Sequence, residues 1–450
     1  MANFGKAISR LLSGKGMLLV LLLLCGLFSV LTLHRQTPTG AAAGQQLARD
    51  ILRQNGIDAH VLIAAGASAD DAAFADTLDA ELGKCNVKVL AVVKGEPRDA
   101  RLALDAIAQK KERLDVIACD QLSAGWLIFA DLKEDYPTLA TAKVVTPQSY
   151  WWPSFLNSDN LLNIAQQIAV IAIIAIGMTM VIVTGGIDLS VGSVLALSAV
   201  LSTLLIQRFL GTVDATPAAM IGASLAAILC CGFIGLFNGV VVLAFRVPSF
   251  IVTLAMMFIA SGLAEEVSHG ESVYRIPESF TWLGRGTGLL GIPHTVLLMV
   301  VLYILAHILM SRTVLGRYLY AVGGNREAAR LSGVPINSVT MFAYVCSGLL
   351  AGLGGVIMAS QLKSGSMTYG QSYELYVIAA VVVGGTSLFG GEGKMTGTLV
   401  GAFIIAVIRN GMNLMNLAPG KQKIVFGGVI LLAVILDSMK HFGWKRLLRR

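Results

Sequence analysis

Charge is scarce in this chain. Only 14% of its 450 residues are Asp, Glu, Lys or Arg, while 55% are hydrophobic; a soluble domain usually carries about 25% charged residues. With a mean hydropathy of +0.73, the deficit excludes an ordinary soluble protein and predicts an integral membrane protein. Cysteine is scarce as well. Cys25, Cys230, Cys231 and Cys346 lie in apolar runs, where a thiol fills space. Cys85 and Cys119 share a polar segment and would pair only if it faces an oxidising compartment. No CxxC spacing is present and none of the six histidines forms an HExxH pattern, so neither a metal site nor a cofactor is expected. No GxGxxG follows a strand-like run. Gly393-Lys394 fails as a phosphate loop, because Met395 stands where Ser or Thr is needed and Leu388 where the first Gly belongs. The chain is therefore not expected to bind ATP through a Walker motif.

What is present is glycine, 48 residues of it, suited to close helix contacts in a membrane. Ten apolar stretches are candidate spans: 17–33, 161–184, 187–206, 218–245, 248–268, 293–310, 338–360, 375–389, 395–416 and 422–439. The stretch 187–206 is expected to unwind partly around Asp188, and 375–389 is short. Residues 17–33 follow a basic leader with Lys6, Arg10 and Lys15. A signal peptide also starts this way, but the run is long for one, and the small residues Ala41–Ala43 lie well beyond it. A retained span is the better reading. An even count puts Lys6, Arg10 and Lys15, the loop 311–337 and the terminal Lys445, Arg446, Arg449 and Arg450 on one side, the cytoplasm by the positive-inside rule. A multi-pass membrane protein with both termini cytoplasmic follows. The surplus of basic residues belongs to this membrane part and implies no nucleic-acid partner.

Residues 34–154 are of another composition. Residues 34–155 hold 13 Lys and Arg against 16 Asp and Glu, net −3, within a chain of net charge +7. Strand-like runs at His60–Gly66, Val87–Val93, Asp115–Asp120 and Ala142–Val145 alternate with helical stretches at Ala69–Leu82, Asp99–Arg113 and Ser123–Lys133. That alternation predicts a small parallel α/β domain, extracytoplasmic by the span count. The chain thus divides into a leader with its first span (1–33), an inserted α/β domain (34–154) and a transmembrane domain (155–450).

Two glycine-rich stretches interrupt the apolar pattern. In Thr184–Leu197, TGGIDLSVGSVLAL, Asp188 sits at the edge of a span, where a carboxylate costs roughly 2.5–3.5 kcal/mol on insertion scales. It either caps backbone amides or, with Ser190, belongs to a substrate path. The second stretch is Val381–Phe403. Ala175–Leu189 and Ile378–Leu388 both end in Gly-Gly-x-x-Leu after an apolar run, a hint of paired halves. In Phe237–Met256, Pro248 breaks a helix after Arg246; Ser249, Phe250 and Thr253, opening the next span, are candidates to line a cavity or simply to pack. In Gly316–Pro335, Gly323-Gly324 are expected to break the chain, Asn325 to cap a short helix with Glu327 in its first turn, and Gly333 with Pro335 to stop it. Such a helix between two spans is suited to a partner's groove, the alternative being a basic loop that fixes topology.

These motifs resemble the permease subunit of ribose-type sugar ABC importers, from about Phe155 to Asp437. The resemblance implies an α-helical polytopic permease of the bacterial cytoplasmic (inner) membrane, a transport subunit and not an enzyme, working as a homodimer, or as a heterodimer with a related permease. Its other partners would be an ABC ATPase subunit, a soluble sugar-binding protein and the lipid membrane. Arg326, Glu327, Ala328, Arg330, Leu331 and Gly333 would form the coupling helix, and Asp188, Ser190, Ser249, Phe250 and Thr253 are candidates for the path. Permeases of this kind commonly carry Asp where this chain has Tyr376, which places any role of the neighbouring Glu374 in question. Residues 34–154 depart from the family and resemble one lobe of a sugar-binding protein. Three rivals stand beside this reading. A branched-chain amino acid ABC permease shares the span plan. A membrane-anchored ligand sensor would want a cytoplasmic output domain, which no stretch of this sequence supplies. An ion-coupled transporter would want several acids within its spans.

Overall fold

The computed structural model describes residues 2–288 and 291–442, with side chains from residue 16 to residue 435. The terminal cluster Lys445, Arg446, Arg449 and Arg450 lies outside the described residues. The chain divides into two compact units, residues 1–32 with 154–450, and residues 33–153.

The second unit begins and ends in an antiparallel ribbon, β1 (Leu33–Gln36) against β6 (Tyr150–Pro153). Between them β2 (His60–Ala65), β3 (Lys88–Lys94), β4 (Val116–Cys119) and β5 (Lys143–Val145) form a parallel sheet in the order β3-β2-β4-β5. The pleat sorts the side chains by parity. Val61 and Ile63 join one core with Leu47, Phe74 and Leu78; Leu62 and Ala64 join another with Leu104, Ile117 and Phe129. Three helices cover these faces: α2 (Gly40–Asn55), α3 (Ala69–Lys84) and α4 (Pro97–Gln109). Ser68 and Asp71 cap α3 reciprocally, and Pro97 opens α4 at a position that needs no N–H donor. The helical stretch expected at Ser123–Lys133 is broken. Trp126 takes extended backbone (φ −66°, ψ 130°) between a 3-10 turn and short helical turns. The turn itself is held by Asp120, whose carboxylate accepts from the amides of Gly66, Leu122 and Ser123 at 2.7–2.9 Å.

The first unit is helical: α1 (Ala2–Leu31), then α5 (Ser158–Val183), α6 (Val191–Phe209), α7 (Pro217–Phe245), α8 (Ser249–Ser268), α9 (His294–Arg312), α10 (Val314–Gly324), α11 (Arg326–Leu331), α12 (Ile336–Leu362), α13 (Tyr373–Val383), α14 (Met395–Leu414) and α15 (Pro419–Phe442). Seven of these, α5 to α9, α12 and α14, are long and apolar enough to cross a membrane among the described residues. The apolar part of α1, Gly16–Leu31, and α13 are shorter; an α13 of 11 residues reaches only about 16 Å against a hydrocarbon layer of about 30 Å. Helix α5 is the most buried of the seven, whereas α7, α8 and α9 are mostly uncovered and turn Leu, Ile, Val and Phe side chains outward.

Small residues decide how closely the helices approach. The Gly235-xxx-Gly239 face of α7 meets the Gly348-xxx-Gly352 face of α12. A β-carbon at Gly235 would run into the Tyr344 carbonyl, and one at Gly348 into that of Cys231. Gly397 and Gly401 of α14 do the same against Gly384 and Ala380. Helix α1 packs on α14 through Phe28, which covers Gly411 and stacks on Phe155 with centroids 6.2 Å apart.

Candidate functional site

The centre of interest is the unwound turn between α5 and α6. Helix α5 ends where Gly185 takes φ +83°, with Gly185 N–H on Ile182 O (2.8 Å) and Gly186 N–H on Val181 O (3.0 Å). This double closure needs a left-handed residue, which glycine supplies without strain. The chain then runs extended, and its amides find side-chain acceptors. Ile187 N–H donates to Ser249 Oγ (3.0 Å), and Leu189 N–H to Thr253 Oγ1 (3.0 Å). Ser249 and Thr253 thus hold the turn, which spacing alone did not suggest.

Asp188 is 2% exposed. Its Oδ1 accepts from Ser190 N–H (3.0 Å) and Ser190 Oγ–H (2.6 Å), and its Oδ2 accepts from Ser347 Oγ–H on α12 (2.7 Å). Asn238 of α7 donates to Ser190 Oγ at 3.2 Å. One carboxylate therefore ties the turn to α6 and α12, and through Ser190 to α7. Three direct donors offset much of the cost of burying it. Asn238 and Ser347 were not anticipated. The signal available was a lone amide in the apolar run of α7 and a hydroxyl in that of α12.

On the far side of Gly185 and Gly186 lies a cleft of about 1000 Å³, walled by Arg246, Pro248 and Ser249, by Arg326, Glu327 and Arg330, and by Ile336, Thr340 and Tyr344. Arg246 takes φ +56° to turn the chain from α7 into α8. Of the path candidates, Ser249 lines this cleft; Asp188, Ser190 and Thr253 are enclosed behind it, and Phe250 is 49% exposed.

The loop 311–337 holds two helices. Thr313 caps α10 by accepting from Gly316 N–H at 3.1 Å. Gly323 and Gly324, expected to break the chain, are instead the last helical residues of α10. Gly323 lies so close to the Val183 carbonyl and the Gly391 amide that no β-carbon would fit. The break falls at Asn325 (φ −154°, ψ 102°), whose Oδ1 accepts from Ala328 N–H at 2.9 Å. Arg326, Glu327, Ala328, Arg330 and Leu331 are exposed and only Ala329 is buried; Glu327 and Arg330 pair at 3.0 Å. Gly333 (φ +79°) closes the helix.

The second glycine-rich turn sits against the first: Gly391 N–H donates to Val183 O at 2.9 Å. It closes α13 as the first closes α5, with Gly385 (φ +89°) on Val382 O and Thr386 N–H on Val381 O. The shared geometry pairs Gly185 with Gly385, one residue off the register of the sequence repeat. Glu374 is half-buried at the start of α13. Tyr376 faces a cation rather than replacing the acid in kind: the Arg409 guanidinium lies 5.7 Å from its ring centroid. Among the described residues no group of three or more His, Cys, Asp or Glu could hold a metal ion.

Residues 160–434 match the family described as branched-chain amino acid transport system / permease component. The chain is similar to the ribose import permease RbsC of Escherichia coli K12, at 41% identity over 315 residues, covering 69% of this chain and 95% of that protein. The RbsC of Bacillus subtilis is 42% identical over 290 residues, 64% of this chain and 87% of the relative. The L-arabinose permease AraH of Azospirillum brasilense is 37% identical over 289 residues, 64% of this chain and 83% of the relative. No solved structure matches.

Proposed function

Since the chain belongs to the branched-chain amino acid transport system permease family, we propose that it is the permease subunit of an ABC importer for a ribose-like monosaccharide. The observation that carries this reading is the near-complete coverage of the ribose permeases. The named relatives are sugar permeases, which favours sugar over the branched-chain amino acids of the family's description. The chain is no enzyme; ATP is hydrolysed by a separate ATPase subunit. A soluble sugar-binding protein delivers the cargo, and a second permease, identical or related, completes the pore.

In this reading Arg326, Glu327, Ala328, Arg330 and Leu331 dock onto the ATPase, with Gly333 fixing the exit of the helix. Arg326, Glu327 and Arg330 also wall the cleft, so movement of α11 reaches Ser249, and through Ser249 and Thr253 the turn that holds Asp188 and Ser190. Phe250, exposed at the start of α8, serves packing against lipid or the second permease. Ten segments cross the membrane when α1, α15 and α13 together with the non-helical stretch 363–372 before it are counted with the seven long helices. Both termini and α11 then face the cytoplasm and residues 33–153 lie outside. There that unit docks onto, or replaces part of, the sugar receptor.

The test is co-purification of the tagged chain with its ATPase, repeated with Glu327→Lys and Arg330→Glu together, beside ATP-dependent uptake of labelled ribose into proteoliposomes. Wild-type binding lost in the double variant, with uptake lost too, is the expected result. A chain that carries sugar in vesicles without ATP would remove the importer reading. Micromolar sugar binding by the full chain without its receptor, abolished by deleting residues 44–149, would show that the inserted unit binds sugar itself.

A further inference from the structure

We infer that the ribbon β1/β6 lies in the headgroup layer of the bilayer, anchored by Tyr150, Trp151 and Trp152. The inference rests on α1 and α5 being membrane helices, not on the sugar.

Chain length is the first argument. Leu33 follows the end of α1 by two residues and Pro153 precedes α5 by five. Fully extended, those links span at most about 7 and 18 Å. The interfacial layer adds about 5–8 Å to each side of the hydrocarbon core. Whatever the orientation of the rest of the unit, its first strand cannot leave the vicinity of the membrane surface.

The second argument is chemical. Three aromatic residues in a row are exposed, Tyr150 at 47%, Trp151 at 66% and Trp152 at 43%, with Leu33 at 48% beside them. Trp152 pairs with His34 and Trp151 with Arg35, so successive rings project from opposite faces of the ribbon. Among the described residues none of the three rings, nor Leu33, joins a hydrophobic core. The exposure ends sharply: Phe155 is 1% exposed and packed on Phe28. Rings with a broad apolar body and one polar N–H or O–H suit the boundary between hydrocarbon and water. Arg35, exposed opposite Trp151, can extend its guanidinium to lipid phosphate.

The test uses the full chain in phosphatidylcholine nanodiscs, with bromines placed on the acyl chains near the headgroup, at mid-chain, or absent. A variant with Trp126, Trp282 and Trp444 changed to Phe leaves only the two ribbon tryptophans. The expected result is strong quenching by the shallow bromines, weaker quenching by the deep ones, and poor quenching by aqueous iodide. Strong iodide quenching with none by bromine would overturn the proposal. So would protection from iodide that appears only when the soluble receptor is added, which would make the ribbon a protein contact. Should the triple variant not fold, Trp151→Ser with Trp152→Ser in the otherwise native chain reads the same rings. Loss of the shallow-quenched component is expected, and unchanged quenching would refute the anchor.

Discussion

The two units of this chain are held together by different parts of the same residue alphabet. In residues 33–153, large aliphatic and aromatic side chains such as Leu62, Leu78, Leu104 and Phe74 are sealed between sheet and helices. Burying each such side chain stabilises by about 1.5–3 kcal/mol, because water is the alternative. In the helical unit the large side chains of α7, α8 and α9 mostly face outward, and the tight contacts are made where there is no side chain, at Gly235, Gly348, Gly397 and Gly401. Lipid is as apolar as leucine, so burying leucine gains little there; close backbone approach and polar ties such as Asp188–Ser347 hold the helices instead. The lesson is that hydrophobicity marks the core of one unit and the outer surface of the other.

This contrast can be broken experimentally. The largest effect is expected from Gly348→Leu, which forces α12 off α7. The full chain should lose its monodisperse peak in detergent, while limited proteolysis still releases an intact fragment of residues 33–153. A well-behaved variant would mean that glycine contacts do not govern the helical unit.

Leu78→Ala makes the converse cut. It should cost the α/β unit about 2–5 kcal/mol, read as protease sensitivity confined to residues 33–153, with ATPase co-purification unchanged. Asp188→Ala leaves the Ser190 and Ser347 hydroxyls without their acceptor, at about 1–3 kcal/mol per buried group. A lower melting temperature and reduced uptake should follow, and an unchanged melting curve would show that the carboxylate does not tie α6 to α12. Asn325→Ala removes the cap of α11, worth about 1 kcal/mol; Asn325→Ser should restore most of the lost ATPase binding.

The smallest effect concerns the thiols. Cys85 is exposed and Cys119 buried, both free, and burial pushes the Cys119 thiol up to about 12. Maleimide at neutral pH should label Cys85 and spare Cys119, as read by peptide mass. A linked Cys85–Cys119 peptide would contradict this.

Much of this was legible in the sequence, for physical reasons that differ by region. The parallel α/β order was readable because strand and helix impose periods of two and 3.6 on apolar residues. The cap at Asn325 and the close at Gly333 were readable because capping is local. The helix expected at Ser123–Lys133 was not: Asp120 caps its first turn locally, but the chain leaves helical geometry at Trp126, a break that helical periodicity does not mark. Gly323 was misread as a break because a glycine kept for a neighbour's backbone looks the same in sequence as one kept for a turn.

Composition and local pattern by themselves determined that this is a helical membrane protein with an inserted α/β segment and a short capped helix among basic residues. Charge, hydropathy and capping act within a few residues of where they are written. Only the tertiary structure decided what Asp188 touches, that Ser249 and Thr253 serve the turn's amides, and that two glycine turns lie against each other at Val183 and Gly391. Those contacts join residues some 60 to 200 positions apart. A buried hydrogen bond is specified by where its partner arrives, and that is fixed by how the helices pack.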